Sequence, residues 1–224
     1  MRATFVVVPL LAVAAATLNP SAVAAKPSQR CNHHPAYRKD RVALLFRVHT
    51  DQDDGYGHRL IAYYVCGRPN GQPVQLAVNS ANETSEYPRN DQLTELRLAG
   101  SYAGALVIVG QGAEQACLKL QSNCPAPHLE LTLVDAATRS KARLVPDIEP
   151  EHLTLSPAGA AAWLVPQGPG TQQLMATTLH PQGRRLLVSP QLLDTGAITD
   201  VRWSGRKISW RHSGAPRSAT LNRR

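Results

Sequence analysis

Aromatic residues and methionine are scarce in this sequence. Aromatic residues make up 5% of its 224 residues, and there are only two Phe and two Met. A core in this chain must therefore be built mainly from Leu, Val and Ala. Two common catalytic signatures are also missing, the Gly-x-Ser-x-Gly nucleophile elbow and the glycine-rich phosphate-binding loop. We therefore assign no catalytic and no cofactor-binding residue from motifs.

Long hydrophobic runs are missing after the first 25 residues. The one long run, Phe5 to Leu18, follows Arg2 and precedes the small residues Ala22 to Ala25. This order is typical of a secretory signal peptide, and the run is shorter than the ~20 apolar residues of a membrane-spanning helix. We expect cleavage near Lys26, a secreted or extracytoplasmic protein, and no transmembrane segment after cleavage.

Cysteine is rare, with four residues, all after the expected cleavage point. An even count in an exported chain predicts disulfides. Cys117 and Cys124 flank a short polar loop, so we pair them. This leaves Cys31 to pair with Cys66, which would tie the mature N-terminus to a strand.

One phrase occurs three times, in residues 96–107, 153–164 and 201–210. Each copy reads as a short alternating strand, a tight turn with glycine and a second apolar strand. A repeat of this length that encodes several strands is typical of propeller-like β architecture. No segment has helical periodicity, and Pro and Gly punctuate the chain at strand-and-turn intervals. The sequence therefore predicts an all-β fold.

The strand pattern groups into units of four antiparallel strands. In the third unit we expect the strands His152–Leu155, Ala160–Val165, Leu174–Thr178 and Arg185–Val188. In the fourth we expect Ile198–Trp203, Lys207–Arg211 and Ser218–Leu221, where the pattern stops. The second unit is the clearest, with the strands Leu93–Leu98, Ala103–Val109, Leu129–Val134 and Ala142–Val145. Before it we expect Val42–Val48, Leu60–Cys66 and Pro73–Val78, and residues 79–91 read as a polar loop.

Four phrases carry a resemblance to a known group of proteins, namely residues 64–71, 98–103, 134–138 and 204–210. They resemble the repeats of secreted, mostly uncharacterised bacterial proteins with WD-like or TolB-like β-propellers. The resemblance implies a closed ring of at least four blades, but residues 58–221 show only two full blades and two partial ones. Either the N-terminal strands complete the last blade, or the ring stays open, or two chains share it.

The expected domain organisation follows from these observations. Residues 1–25 are the signal peptide, residues 26–57 an N-terminal lead-in with the first strand, and residues 58–224 the propeller-like β domain.

Metal sites are the first candidates for chemistry. Residues 51–56 (DQDDGY) resemble a calcium loop, but Gly55 occupies the place of an oxygen ligand, one position early. Cys31, His33 and His34 could bind copper or zinc, but the Cys-x2-Cys spacing typical of thiolate sites is missing. We therefore expect no metal and no cofactor, with calcium as the alternative for the first loop.

Positive charge is concentrated at the C-terminus. The net charge is +8, and from Arg184 onward nine Arg or Lys stand against Asp194 and Asp200. Within this stretch Arg202, Arg206, Lys207 and Arg211 interleave with Trp203 and Trp210. Two explanations stay open, a surface that contacts anionic ligands and an ordinary strand pair with tryptophans inward and cations in water.

These features predict an exported binding or scaffold module of the bacterial cell envelope with an unknown ligand. Its partner would be a protein or an anionic cell-envelope polymer, not nucleic acid, and an incomplete ring would favour an oligomer. The alternative is a secreted hydrolase with its site in a central funnel. Asp147, Glu149 and Glu151 are close in sequence, but paired catalytic carboxylates would have to come from different blades.

Overall fold

The computed structural model of the protein describes residues 36, 38–39, 43–51, 58–68, 71–82, 90–111, 128–145 and 150–222. The expected signal peptide lies outside these residues. So do Cys31, His33, His34, Cys117, Cys124, Asp147, Glu149 and positions 52–56 of the calcium-like loop.

The described residues form seventeen strands and no helix. They are β1 (Arg38–Lys39), β2 (Ala43–Asp51), β3 (His58–Gly67), β4 (Val74–Asn82), β5 (Asn90–Ala99), β6 (Tyr102–Gln111), β7 (His128–Asp135), β8 (Ser140–Leu144), β9 (Glu151–Ser156), β10 (Ala160–Gly168), β11 (Thr171–Thr178), β12 (His180–Gln182), β13 (Arg185–Leu187), β14 (Gln191–Gly196), β15 (Ile198–Ser204), β16 (Lys207–His212) and β17 (Ala215–Thr220). The all-β prediction is confirmed.

The strands form four sheets that follow the chain order. The first sheet is β1–β4 and the second is β5–β8, extended by β13 and β12. A single residue pair, Ser80 with Asp91, joins these two sheets. The third sheet has the order β14-β11-β10-β9 and the fourth β15-β16-β17. All pairings are antiparallel except the one between β13 and β8.

The threefold phrase corresponds to the first hairpin of the second, third and fourth sheets. These hairpins are β5–β6, β9–β10 and β15–β16. Their turns touch one another in sequence order. Gly100, in the turn between β5 and β6, lies against Pro157, in the turn between β9 and β10. At that second turn the Ser156 hydroxyl donates to the carbonyl of Gly205, in the turn between β15 and β16. The sequence repeat is thus a structural repeat with matching turn-to-turn contacts.

Successive sheets pack face to face because both faces of the second and third sheets are apolar. Leu96, Ala103, Ala105, Val107 and Val134 of the second sheet pack on Leu45, Tyr63 and Val65 of the first. The opposite face, with Leu106, Leu131 and Leu133, packs on Leu153, Leu155 and Trp163 of the third sheet. Ala160, Ala162 and Leu164 of the third sheet then pack on Ile208 and Trp210 of the fourth. Small Ala side chains bring the layers close together.

Gly104 shows how close the second and third sheets are. A Cβ atom at this position would lie 2.8 Å from Cδ2 of Leu153 and 3.2 Å from Cδ2 of Leu133. Ordinary carbon–carbon contacts need about 3.5–4.0 Å. A side chain there would force these two leucine side chains to move.

One strand assignment was wrong. The segment Arg185–Leu187 is not the fourth strand of the third unit but joins the second sheet, where Arg185 pairs with Lys141. The fourth strand of the third sheet is β14, which pairs with β11. Leu186 is the reason, because its buried side chain belongs to the core between the second and third sheets.

Strand β2, within the expected lead-in, pairs with β3 along its whole length. It therefore belongs to the first sheet, and the fourth sheet has three strands among the described residues. No closed ring is formed by the part of the chain that the structure describes.

Candidate functional site

The face of the fourth sheet that points away from the third is polar and exposed. Strand pairing places Arg202 beside Ser209 and Ser218, Ser204 beside Lys207 and Thr220, and Thr199 beside Arg211 and Pro216. All nine side chains are exposed. We call them the basic face; it carries three cations and five hydroxyl groups.

A β-bulge in β15 puts Thr199 and Arg202 on the same face. Two residues, Asp200 and Val201, lie between these positions where the partner strand has one, Trp210. Asp200 adopts a φ of 55° there. Without the bulge, strict alternation would place Thr199 and Arg202 on opposite faces.

Asp200 partly neutralises the basic face. Its carboxylate lies 3.3 Å from Nε of Arg211 and 3.9 Å from a guanidinium nitrogen of Arg202. The side chains of Arg211 and Arg202 are 55% and 78% exposed, so water screens both ion pairs. Lys207 has no ion pair with another described residue. The face keeps a net positive charge of two.

The four cations predicted to contact anions are not equivalent. Arg202, Lys207 and Arg211 belong to the basic face, whereas Arg206 lies in the turn between β15 and β16 and is half-buried. The backbone carbonyl of Arg206 accepts from the N–H of Leu221. Trp210 is buried and Trp203 is half-buried, both on the side facing the third sheet.

A polar cluster lies on the opposite side of the fourth sheet, around Asp194 of β14. Its carboxylate accepts a hydrogen bond of 2.6 Å from Nε1 of Trp210 and one of 2.9 Å from the N–H of Thr195. Nδ1 of His212 lies 3.0 Å away and a guanidinium nitrogen of Arg217 3.1 Å away. The Asp194 side chain is only 7% exposed. This cluster joins the edge of the third sheet to two strands of the fourth.

The surroundings of Asp194 favour its charged form. Burial by itself would raise the pKa of this carboxyl, but the hydrogen bonds of Trp210, His212 and Thr195 and the charge of Arg217 hold it below its usual 3.8. Asp194 is therefore a structural carboxylate that is ionised at neutral pH.

Other described carboxylates hold sheets or turns together. Glu95 accepts from the N–H groups of His152 and Leu153, which joins the second sheet to the third. Glu130 lies 3.0 Å from Nε of Arg143. Asp135 accepts from the hydroxyl of Thr138 in its own turn. Within the described residues, no group of three His, Cys, Asp or Glu side chains could hold a metal ion.

Lys141 is a second titratable group enclosed between sheets. Its Nζ donates to the carbonyl of Gln75 in the first sheet over 3.0 Å. Burial and the neighbouring charge of Arg143 lower the pKa of this lysine, and Glu130 acts in the opposite direction. The contact joins the first and second sheets.

Of the cysteines predicted to form disulfides, Cys66 is described. It is fully buried and disulfide-bonded. Because Cys31, Cys117 and Cys124 lie outside the described residues, both pairings stay predictions. Glu151 is exposed at the start of β9.

The role of Asp194 has no signal in the sequence, where this residue is only one of two acidic residues in a basic stretch. Its contacts depend on pairing between β14 and β11 and on packing of the fourth sheet over that edge. Neither feature has a local sequence signal.

Comparisons with protein-family models, with curated proteins and with solved structures gave no match to this chain. In the described part, no helix has the length and apolar character of a membrane span.

Proposed function

We propose that this protein is an exported binding or scaffold module of the bacterial cell envelope, and that its basic face contacts an anionic polymer or lipid headgroup. The observation that carries the proposal is the composition of that face. Three exposed cations and five hydroxyl groups cover one side of the fourth sheet, and no large apolar side chain interrupts them.

The spacing of the cations suits an extended anionic ligand. Lys207 and Arg211 are four residues apart on β16, which corresponds to about 13 Å. Arg202 lies on the neighbouring strand, level with Ser209 midway between them. A flat array of this kind offers charge to several anionic groups at once and hydroxyl donors between them. It predicts weak binding without stereochemical selectivity.

We propose that the four sheets are blades of a propeller-like array. Support comes from the strand order in each sheet and from the matching hairpins of three successive sheets. The array is open or shared between two chains.

A secreted hydrolase was the alternative. The described carboxylates Glu95, Glu130, Asp135 and Asp194 each accept hydrogen bonds or form ion pairs that hold the fold together. None of them supports a catalytic site. The binding module is therefore the better supported function.

The direct test is binding to vesicles of phosphatidylglycerol and to immobilised dextran sulfate. The test variant is Arg202→Gln/Lys207→Gln/Arg211→Gln. Each basic residue near an anionic membrane contributes about 1 kcal/mol. We therefore expect vesicle affinity to fall by roughly 100-fold, and wild-type binding to weaken steeply as salt rises above physiological strength.

A charge-matched control separates the face from net charge. Arg139→Gln/Arg184→Gln/Arg185→Gln removes the same charge from exposed positions outside the fourth sheet. It should retain most of the wild-type affinity. Equal loss in both variants, or binding that is indifferent to salt, contradicts the proposal.

The exported location has its own test. N-terminal sequencing of the protein recovered from outside the cytoplasm should begin near Lys26. A mature protein that still starts at Met1 contradicts the signal-peptide prediction.

A further inference from the structure

The basic face is ordered in three rows that cross the fourth sheet, and each row contains one cation. The first row has Ser204, Lys207 and Thr220, the second Arg202, Ser209 and Ser218, and the third Thr199, Arg211 and Pro216. Neighbouring rows are two residues apart on β16, or about 6.5 Å. The cations therefore follow one another along β16, and none stands beside another in the same row.

The three cations are not equally available to a ligand. Lys207 is exposed and has no ion pair with another described residue. A guanidinium nitrogen of Arg202 lies 3.9 Å from the carboxylate of Asp200. Nε of Arg211 lies 3.3 Å from the same carboxylate, and its Nη1 donates to the carbonyl of Gly214 over 3.0 Å. Availability therefore falls along β16 from Lys207 to Arg211.

Asp200 competes with external anions for two of these cations. It occupies the bulge in β15 with a φ of 55°, a conformation that Asp and Asn adopt more readily than most residues. Because it is tethered to the sheet, its carboxylate is present beside Arg202 and Arg211 at an effective concentration on the order of millimolar. A small anion in dilute solution therefore meets one unoccupied cation, Lys207.

A chain of linked anionic groups meets this face differently. Once one group binds Lys207, the following groups are tethered as well, so they compete with Asp200 on equal terms. Ser209 and Ser218 lie in the row between Lys207 and Arg211, where their hydroxyls offer donors to uncharged oxygens of the chain. A length of about 13 Å is enough to reach from the first row to the third.

A lipid bilayer fits the face less well. Peripheral binding to a bilayer depends on apolar side chains that enter the headgroup boundary as well as on charge. Pro216 is the one apolar residue of the basic face, and Trp203 and Trp210 lie on the side toward the third sheet. Charge alone, partly neutralised by Asp200, is left to attract a membrane.

We propose that the ligand of the basic face is a linear polyanion that runs along β16 and spans all three rows, and that Asp200 selects for such a ligand. This inference rests on the proposed binding function and narrows its ligand to a polymer with linked anionic groups, such as a sulfated or phosphorylated polysaccharide. Short anions reach Lys207 alone, whereas a longer chain displaces Asp200 from Arg202 and Arg211.

Single variants test whether the ligand spans the rows. The probes are a sulfated dextran hexasaccharide and glucose 6-sulfate, each titrated into the mature protein and followed by NMR. Hexasaccharide affinity should fall roughly fivefold in Lys207→Gln and roughly threefold in Arg211→Gln, whose guanidinium must first leave Asp200. Glucose 6-sulfate should respond to Lys207→Gln alone. A hexasaccharide affinity that Arg211→Gln leaves unchanged overturns the proposal.

Asp200→Asn tests the competing carboxylate and keeps a residue that tolerates the bulge. Hexasaccharide affinity should rise about fivefold. The matched control, Gln182→Lys, adds the same charge at an exposed position of β12. The third sheet separates it from the basic face by about 20 Å, more than two Debye lengths of about 8 Å, so affinity should change less than twofold. Equal gains in both variants overturn the role of Asp200.

Phosphatidylglycerol vesicles separate the polymer from a membrane. At equal concentrations of accessible anionic groups, the vesicles should bind more weakly than dextran sulfate. Tighter binding to the vesicles overturns the polymer assignment and leaves the proposed function intact. If neither probe responds to Arg202→Gln/Lys207→Gln/Arg211→Gln, the proposed function fails and this inference fails with it.

Discussion

Single residues at contacts between sheets determine how tightly the layers pack. Asp194 joins the third sheet to Trp210, His212 and Arg217 of the fourth. We predict that Asp194→Asn lowers the free energy of unfolding by about 1–2 kcal/mol, because hydrogen bonds to a charged acceptor are weakened while Arg217 remains half-exposed to water. Urea unfolding measures this loss.

The control for Asp194 is Asp200, whose pairs lie on the exposed basic face. Asp200→Asn should change stability by no more than about 0.5 kcal/mol. If both variants lose the same amount, the cluster around Asp194 is not a specific contact between sheets.

The lowered pKa of Asp194 also predicts a pH dependence. Its pKa in the folded protein lies below the 3.8 of the unfolded chain. The stabilisation is therefore complete above pH 3.8 and is lost as the pH falls through the folded value. The difference in stability between wild type and Asp194→Asn should shrink in that acid range. A constant difference down to the acid limit would contradict this assignment.

Gly159 is a position where conformation and space both require glycine. Its φ is +81°, and a Cβ atom would lie 2.8 Å from the hydroxyl oxygen of Tyr102 in the second sheet. Gly170 also has positive φ, +68°, but its surroundings are open. We expect Gly170→Ala to cost about 1–2 kcal/mol and Gly159→Ala at least about 1 kcal/mol more from overpacking. Thermal unfolding compares them, and equal losses would show that the contact is unimportant.

At the scale of elements, the turns of successive hairpins act as connectors. The Ser156 hydroxyl donates to the carbonyl of Gly205 and accepts from the N–H of Ala158. This residue is fully buried. Ser156→Ala should lower the free energy of unfolding by about 1–2 kcal/mol, because two buried backbone groups lose their partner. Ser209→Ala, on the exposed basic face, should stay within about 0.5 kcal/mol.

The third sheet also shows which elements the sequence pattern could and could not predict. Its first three strands were predicted because apolar residues alternate between clear turns. The fourth strand is Gln191–Gly196, whereas the sequence pattern predicts Arg185–Val188 in its place. Both segments are too short for their own periodicity to decide which sheet they join. Arg185–Leu187 follows the core that Leu186 enters, and Gln191–Gly196 joins the third sheet by pairing with β11.

At the scale of the whole molecule, the fourth sheet closes one end of the stack. It covers Ala160, Ala162, Leu164, Leu174 and Ala176 of the third sheet. We predict that a chain ending after Ala197 associates or aggregates because this apolar face is opened. Size-exclusion chromatography measures the change. A chain ending after Asn222 should behave as wild type, and a monomeric, stable short form would contradict the stacking role of this sheet.

The sequence by itself determined the all-β class, the hairpin repeat and the concentration of cations near the C-terminus. These features depend on alternation, on turn residues and on charge order, which are local properties of the chain. Only the tertiary structure decided which cations share a face. The bulge at Asp200 sets the orientation of Arg202, and the turn leaves Arg206 half-buried. It alone also brought Asp194 to Trp210, because such a contact depends on which sheets meet and not on the order of neighbouring residues.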